Sequence, residues 1–364
     1  MFSHNGKIST RQVTILLILQ MFNMNMLIMP RVSTNYLGRN GYVASILAIL
    51  LGLVYVFFIT SLTTSFPGLT FVEIVNSVLP NWIANVLVLL LSIKLILSAG
   101  LELRLFGEMI AQIMLPKTPM SVIMIALILT AGYLVKSGAE ATARMGELLI
   151  LFIGVPLVIA LLALIFNSSY GDLLPFFRVE PMEVAVGTVL TSVMFVPLEI
   201  LLMLNGLMKD PSKSKLAGRS AVITIGLIQG LITLLCVAQN GLDETQSQIW
   251  PVIVLMKSIG MSDATVENQE ALMLIVWIFS VYMYVSISLY IISLIGSRNC
   301  NFKRENIFVW PIIPIILFVA LYPNDLGVVY NYYLKFEYYF GLCFILPIPF
   351  ILLLIAKIRG VGND

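Results

Sequence analysis

The sequence predicts an all-α integral membrane protein with ten transmembrane helices, built as two inverted halves of five. Three observations carry this. Of 364 residues, 59% are hydrophobic and only 11% charged, with a mean hydropathy of +0.99. Soluble domains carry about 25% charged residues, so this chain cannot cover a water-facing surface. The apolar residues recur in runs of about 20, the length that crosses a bilayer as a helix. Finally, polar interruptions fall within the first and sixth runs, at matching positions of the two halves, as in transporter-like folds with inverted repeats.

Read between polar breaks, the spans fall near 10–30, 41–64, 81–113, 119–135 and 145–166 in the first half. Those of the second half fall near 184–207, 219–239, 268–295, 306–322 and 336–357. Pro119, Pro211, Pro251, Pro311 and Pro323 punctuate their ends, where a residue without an N–H is tolerated. No low-complexity tract or soluble domain interrupts the pattern, so residues 1–364 read as one transmembrane unit.

Ten spans place both termini on one side. That side receives Lys7, Arg11, Lys136, Arg144, Lys209, Lys213, Lys215, Arg219, Arg298, Lys303, Arg304, Lys357 and Arg359. The other receives only Arg31, Arg39, Lys117, Arg178, Lys257 and Lys335. Thirteen basic residues against six orient both termini to the cytoplasm. The longest outer loop, about 240–267, is acidic through Asp243, Glu244, Asp263 and Glu267, and carries the amphipathic stretch IWPVIVLMKSIG.

Composition also excludes functions. A net charge of +2 suggests no nucleic-acid partner. Three cysteines form no disulfide or metal pattern, and the single histidine, His4, lies in the polar N-terminal tail. Neither a metal centre nor an enzyme is expected, and no cofactor is implied.

The first run contains QMFNMNMLIMPR, with Asn23 and Asn25 where a lipid-facing helix would carry Leu or Ile, closing on Pro30-Arg31. Residues two apart point about 200° apart on a helix. One amide of an intact helix would therefore face lipid, and an unwound segment removes that conflict. The sixth run reads TSVMFVPLEILLML. Pro197 removes a backbone donor there, and a carboxylate at mid-membrane, Glu199, reads as functional by default. Asn23, Asn25 and Glu199 are thus the candidate polar lining of one cavity, with Pro197 at the interruption and Phe195 and Tyr284 as apolar walls. The third run adds Lys94, Glu102, Arg104 and Glu108, read as an outer vestibule network in which Arg104 and Glu108 pair at i,i+4. The competing reading of every polar group is a local or neutralised structural bond.

The chain resembles the spore germination permease family, the B subunits of nutrient germinant receptors. The resemblance rests on KISTRQ before the first span, LIMPR after it, LELRLFGEMI followed by LPKTP, SGAEATARMGELL, DLLPFF, PLEILLML, WPVIVLMKSI, EALMLIVWI and LYPND. These run in order from residue 7 to residue 325, and the resemblance extends to about residue 357. The resemblance implies the amino acid/polyamine/organocation superfamily and a LeuT-like 5+5 inverted repeat with broken helices 1 and 6. It further implies a place in the spore inner membrane beside A and C subunits, and a small nutrient that triggers germination, plausibly through gated ion flux. Family members commonly carry glycine where Asn23, Asn25 and Pro197 stand, so a sugar, a nucleoside or a differently held amino acid is expected as ligand. The alternative is an autonomous proton- or sodium-coupled amino-acid permease, for which Ser286 and Ser288 would offer hydroxyl oxygens.

Overall fold

Helix α1, Thr10–Met21, starts at a capping box: Ser9 Oγ accepts the Gln12 amide at 3.3 Å, and Gln12 Oε1 accepts the Ser9 amide at 2.9 Å. This satisfies two otherwise orphaned donors. The computed structural model describes residues 6–173, 180–258, 269–323 and 325–362. Arg178, Asp263, Glu267, His4, most of DLLPFF and Asn324 of LYPND lie outside them. Everything described is helix, turn or loop, apart from one isolated bridge.

The order continues with α2 (Met24–Leu37), α3 (Gly41–Ser65), a short α4 (Phe71–Val78), α5 (Asn81–Ile113), α6 (Met120–Lys136) and α7 (Ala139–Asn167). Then come α8 (Pro181–Thr191), a 3-10 segment (Ser192–Ile200), α9 (Leu201–Leu204), α10 (Ser214–Asn240), α11 (Leu242–Ser247) and α12 (Pro251–Ser258). The chain finishes with α13 (Gln269–Asn299), α14 (Val309–Leu321), α15 (Leu326–Phe336), a π turn (Glu337–Gly341), α16 (Leu342–Ile345) and α17 (Pro347–Arg359). Among the described residues, seven helices or helix runs are long and apolar enough to cross a membrane, and α6 and α14 are shorter apolar helices. The protein is therefore a multi-pass membrane protein.

Several expectations need adjusting. The first span parts at Phe22–Asn23, but Pro30-Arg31 does not close it, because α2 continues to Leu37 with Pro30 inside. In that turn the Ser33 and Thr34 hydroxyls donate back to the Met29 and Pro30 carbonyls at 3.0 and 2.7 Å. The sixth span does not unwind. It tightens to 3-10 geometry around Pro197 and keeps right-handed helical backbone at both junctions. In a dry interior an unmet amide is costly, so narrowing the turn loses less than opening it. The tenth span is not a plain helix either: it is entered through α15 and bulges at Glu337–Gly341.

Packing sorts the helices into two groups. One centres on α3 against α10. There Gly52 and Gly226 leave room for the Phe195 ring, because a Cβ on Gly52 would lie 2.8 Å from Phe195 Cδ2 and one on Gly226 would lie 3.4 Å from its Cζ. In the other, α13 packs on α5, α6 and α7, and α14 packs on α5 and α6. Helix α1 sits between the groups, touching α10, α13 and the 3-10 segment, and the 3-10 segment packs in turn on α3.

Loops also meet in sets. Ile8 pairs with the end of the sixth span through its amide to the Leu207 carbonyl and its carbonyl to the Lys209 amide, both 2.9 Å. Arg298 lies 3.6 Å from Glu73, Asn306 donates to the Lys136 carbonyl, and Arg359 donates to the Val78 carbonyl. At a separate place Gln246, from the acidic loop, donates to the Thr34 carbonyl at 2.7 Å.

Candidate functional site

The break in the first span is built by one side chain. Asn23 adopts extended backbone angles (φ −131°, ψ −156°) and caps α2 by accepting the Asn25 amide on Oδ1 at 2.8 Å. Its Nδ2 donates backward to the Gln20 carbonyl at 3.1 Å, closing the end of α1. One amide thus serves both helix ends, which leave orphaned backbone groups. The Phe22 carbonyl, also freed, accepts the Ser280 hydroxyl of α13. Asn25 differs: it is buried, and its Oδ1 accepts no hydrogen bond from the described residues.

Helix α13 faces this break with one stripe. Ser280, Tyr284 and Ser288 recur every four residues and so share a face. Ser288 accepts Gln20 Nε2 at 3.0 Å, and Trp277, two turns before Tyr284 on the same side, packs on the Phe22 ring at 5.7 Å between centroids. Tyr284 bonds to Ser288 and lies within electrostatic reach of Glu102, Glu337 and Glu199. Ser286 points elsewhere and bonds the Tyr282 carbonyl within its own helix at 2.7 Å.

The carboxylates form a second layer. Lys94 Nζ lies 2.5 Å from Glu199 Oε1 and 3.0 Å from Glu337 Oε2. All three side chains are at most 4% exposed. The contact with Glu337 is an ion contact without hydrogen-bond alignment on Oε2. Ser98 Oγ donates to Glu337 Oε1 at 2.5 Å. Glu102, fully buried, takes a bond from Tyr333. The second oxygen of Glu199 has no partner among the described residues.

The expected site residues are therefore partly regrouped. Lys94 does not belong to a vestibule with Arg104. It reaches inward to Glu199, because Lys94, Ser98 and Glu102 are spaced by four on one face of α5. Arg104 and Glu108 do pair, at 2.8 Å, and Arg104 also reaches the Ala320 carbonyl of α14 at 3.4 Å. Pro197 is buried in the 3-10 segment, whereas Phe195 points into the α3–α10 crossing. Glu337 was not anticipated. It stands at the first residues of the expected span 336–357, without a partner that the sequence singles out, and the π turn carries it inward. Gly341 makes that turn possible, since a Cβ there would lie 2.5 Å from Val196 Cγ1 and 2.7 Å from Glu337 Oε2.

The spore germination protein family model (a permease-type family) matches residues 7–327. The chain belongs to this family. It is similar to the spore germination protein YndE of Bacillus subtilis strain 168, at 26% identity over 373 aligned residues spanning all of both chains. It is similar to spore germination protein A2 of the same strain at 26% over 368 residues, 97% of this chain and 96% of that one. Spore germination protein GerLB of Bacillus cereus is 23% identical over 363 residues, 98% of this chain and 97% of that one. This germination protein thus joins a receptor- and permease-like family rather than an enzyme family. The match covers the broken first span, the charged face of α5, the 3-10 segment and the α13 stripe. Glu337 lies beyond it.

Proposed function

We propose that this protein is a B-type subunit of a nutrient germinant receptor in the spore inner membrane. It binds a small nutrient (an amino acid, sugar or nucleoside) at the break of the first span and triggers germination together with A and C subunits, through nutrient-gated ion flux. The observation that carries the reading is the α13 stripe, which touches the parted backbone at Phe22 through Ser280 and lies within electrostatic reach of Glu199 and Glu337 through Tyr284. Broken backbone facing polar residues at the centre of a helical bundle is how such folds recognise solutes. Asn25, whose Oδ1 is open, is the side chain offered to the ligand. Asn23 is already occupied in holding the break.

The proposed architecture is one transmembrane unit of ten spans in two inverted halves, with both termini in the cytoplasm. The loop contacts support it. Residue 8 meets 207–209, 73 meets 298, 78 meets 359 and 136 meets 306, and both members of each pairing are cytoplasmic under the ten-span assignment. Residues 34 and 246 meet elsewhere, and both are then external. The pairing of α3 with α10, second helix of each half, fits the repeat. Cysteines placed at Ser212 and Asp243, after replacing the exposed Cys300, should label from opposite faces with Ser212 cytoplasmic. Labelling from one face removes the ten-span arrangement.

The binding reading is tested in spores whose only germinant receptor contains this subunit. Asn25→Leu removes a donor and an acceptor. One hydrogen bond left unmade in a dry site costs about 1–3 kcal/mol, or roughly a 5- to 150-fold rise in the half-maximal nutrient concentration. Normal receptor levels with an unchanged nutrient response would overturn it.

A further inference from the structure

The proposed nutrient site carries a charge imbalance. Two buried carboxyl groups, Glu199 and Glu337, share the single ammonium of Lys94, at 2.5 and 3.0 Å. Among the described residues, the groups facing them add no second cation. From α5 come Ser98, which donates to Glu337, and Glu102; from α13 comes Tyr284; and from α15 comes Tyr333, bonded to Glu102. Arg104 is turned away and engaged by Glu108 and the Ala320 carbonyl. Uncompensated charge in a membrane interior is expensive, and buried ions persist only when paired and hydrogen-bonded. Glu199 Oε2 nonetheless receives no donor from the described residues. An ionised carboxylate accepts on both oxygens, so this atom is poorly served as an anion.

We infer that the Lys94–Glu199–Glu337 cluster is a proton-binding site in which one of the two carboxyls is a carboxylic acid. This deepens the reading of the same region as a nutrient site, by naming a second, exchangeable ligand. Uptake forms one O–H bond on a carboxylate oxygen, with hydronium as donor. Release breaks that bond and returns the proton to water, with no other bond changed. A proton fits better than an alkali ion, because the Lys94 ammonium already stands against both carboxyls, at 2.5 and 3.0 Å, and repels a second cation there. The arrangement also tells the break from its surroundings. Opening the first span would admit water beside Tyr284, and the cluster would then exchange its proton with that water.

The test is infrared spectroscopy of the purified chain in a maltoside detergent, which has no ester carbonyl. The wild-type protein at neutral pH should show a carboxylic-acid C=O band that shrinks on alkaline titration and does not respond to exchanging sodium for potassium. Glu199→Gln and Glu337→Gln each leave one carboxylate for one ammonium. Each wild-type-minus-variant spectrum should therefore show the loss of one acid carbonyl, while any band from Glu102 cancels. Absence of an acid band in the wild-type protein, or a band that stays full in both variants, overturns the inference. An alkali ion in place of the proton would give no acid band and a thermal midpoint that follows the ion present, which also overturns it. Should one variant fail to fold, the difference spectrum of the other carries the test. None of these measurements involves a nutrient, so the proton site and the nutrient reading can fail separately.

Discussion

Replacing Lys94 by Met removes the ammonium that contacts Glu199 at 2.5 Å and Glu337 at 3.0 Å and leaves both carboxyls in a site at most 4% exposed. Methionine keeps most of the stem's volume, so the change acts on charge more than on packing. Removing one partner of a buried ion pair costs about 3–5 kcal/mol, because the remaining charge is stranded. That corresponds to roughly a hundred- to several-thousand-fold shift toward the unfolded state. Against a total stability of about 5–15 kcal/mol, it is a large fraction. The triple variant Lys94→Met/Glu199→Gln/Glu337→Gln strands nothing. Exchanging a whole buried ionic set for neutral groups of similar size is often neutral or stabilising, so it should recover most of the loss. The assay is denaturant unfolding of the purified protein in detergent, followed by tryptophan emission, with receptor abundance in spore membranes as a second readout. A single variant as stable as wild type would refute the reasoning. So would a triple variant less stable than the single.

Other expectations follow from particular contacts. Gly341→Ala should cost about 1–3 kcal/mol through overpacking and displace Glu337 from Lys94, lowering receptor abundance, whereas Gly154→Ala, with open space around it, should not. Asn23→Ala strips caps from two helix ends and should lose about 1–2 kcal/mol in the same unfolding assay. Ser280→Ala leaves the Phe22 carbonyl unmet and should lose about 1–3 kcal/mol. Reversing either Arg104 or Glu108 should impair assembly or response, and reversing both should restore part of it. Two defective singles with no recovery in the double would count against a simple pair.

Much of the helical layout was legible because bilayer crossing imposes a length on each apolar run. The third span was placed at 81–113, where α5 lies. The part at Asn23 was readable from the angular conflict between Asn23 and Asn25, although which amide does structural work was not. The interior charges were harder. Helical spacing alone separates Lys94, Ser98 and Glu102 from Arg104, which lies about 200° around the helix from Glu102. Applying that arithmetic would have split the supposed vestibule into its two real parts. Glu337 had no such signal. Its partners Ser98 and Lys94 are more than two hundred residues away, and the turn that aims it is set by Gly341 and by room beside Val196. Pro197 announced an irregular sixth span correctly, but a proline marks only the loss of a donor, not whether the chain opens or narrows in response.

Helix α1 is about 18 Å long at 1.5 Å per residue, and it is fastened at both ends. Its foot is stitched through Ile8 to Leu207 and Lys209, and its tip is latched through Phe22 to Ser280. Between the tip and α2 the two cylinders share no helical turn, since α1 stops at Met21 and α2 begins at Met24. Such a part behaves as a lever with a strong pivot and a weak catch. Tilting it breaks a side-chain latch rather than a ladder of backbone bonds, and the stitch at the foot makes the Leu207–Lys209 end of the sixth span travel with it. Mechanical information from the middle of the bilayer therefore has a short, stiff route to residues 207–209, at the membrane's edge.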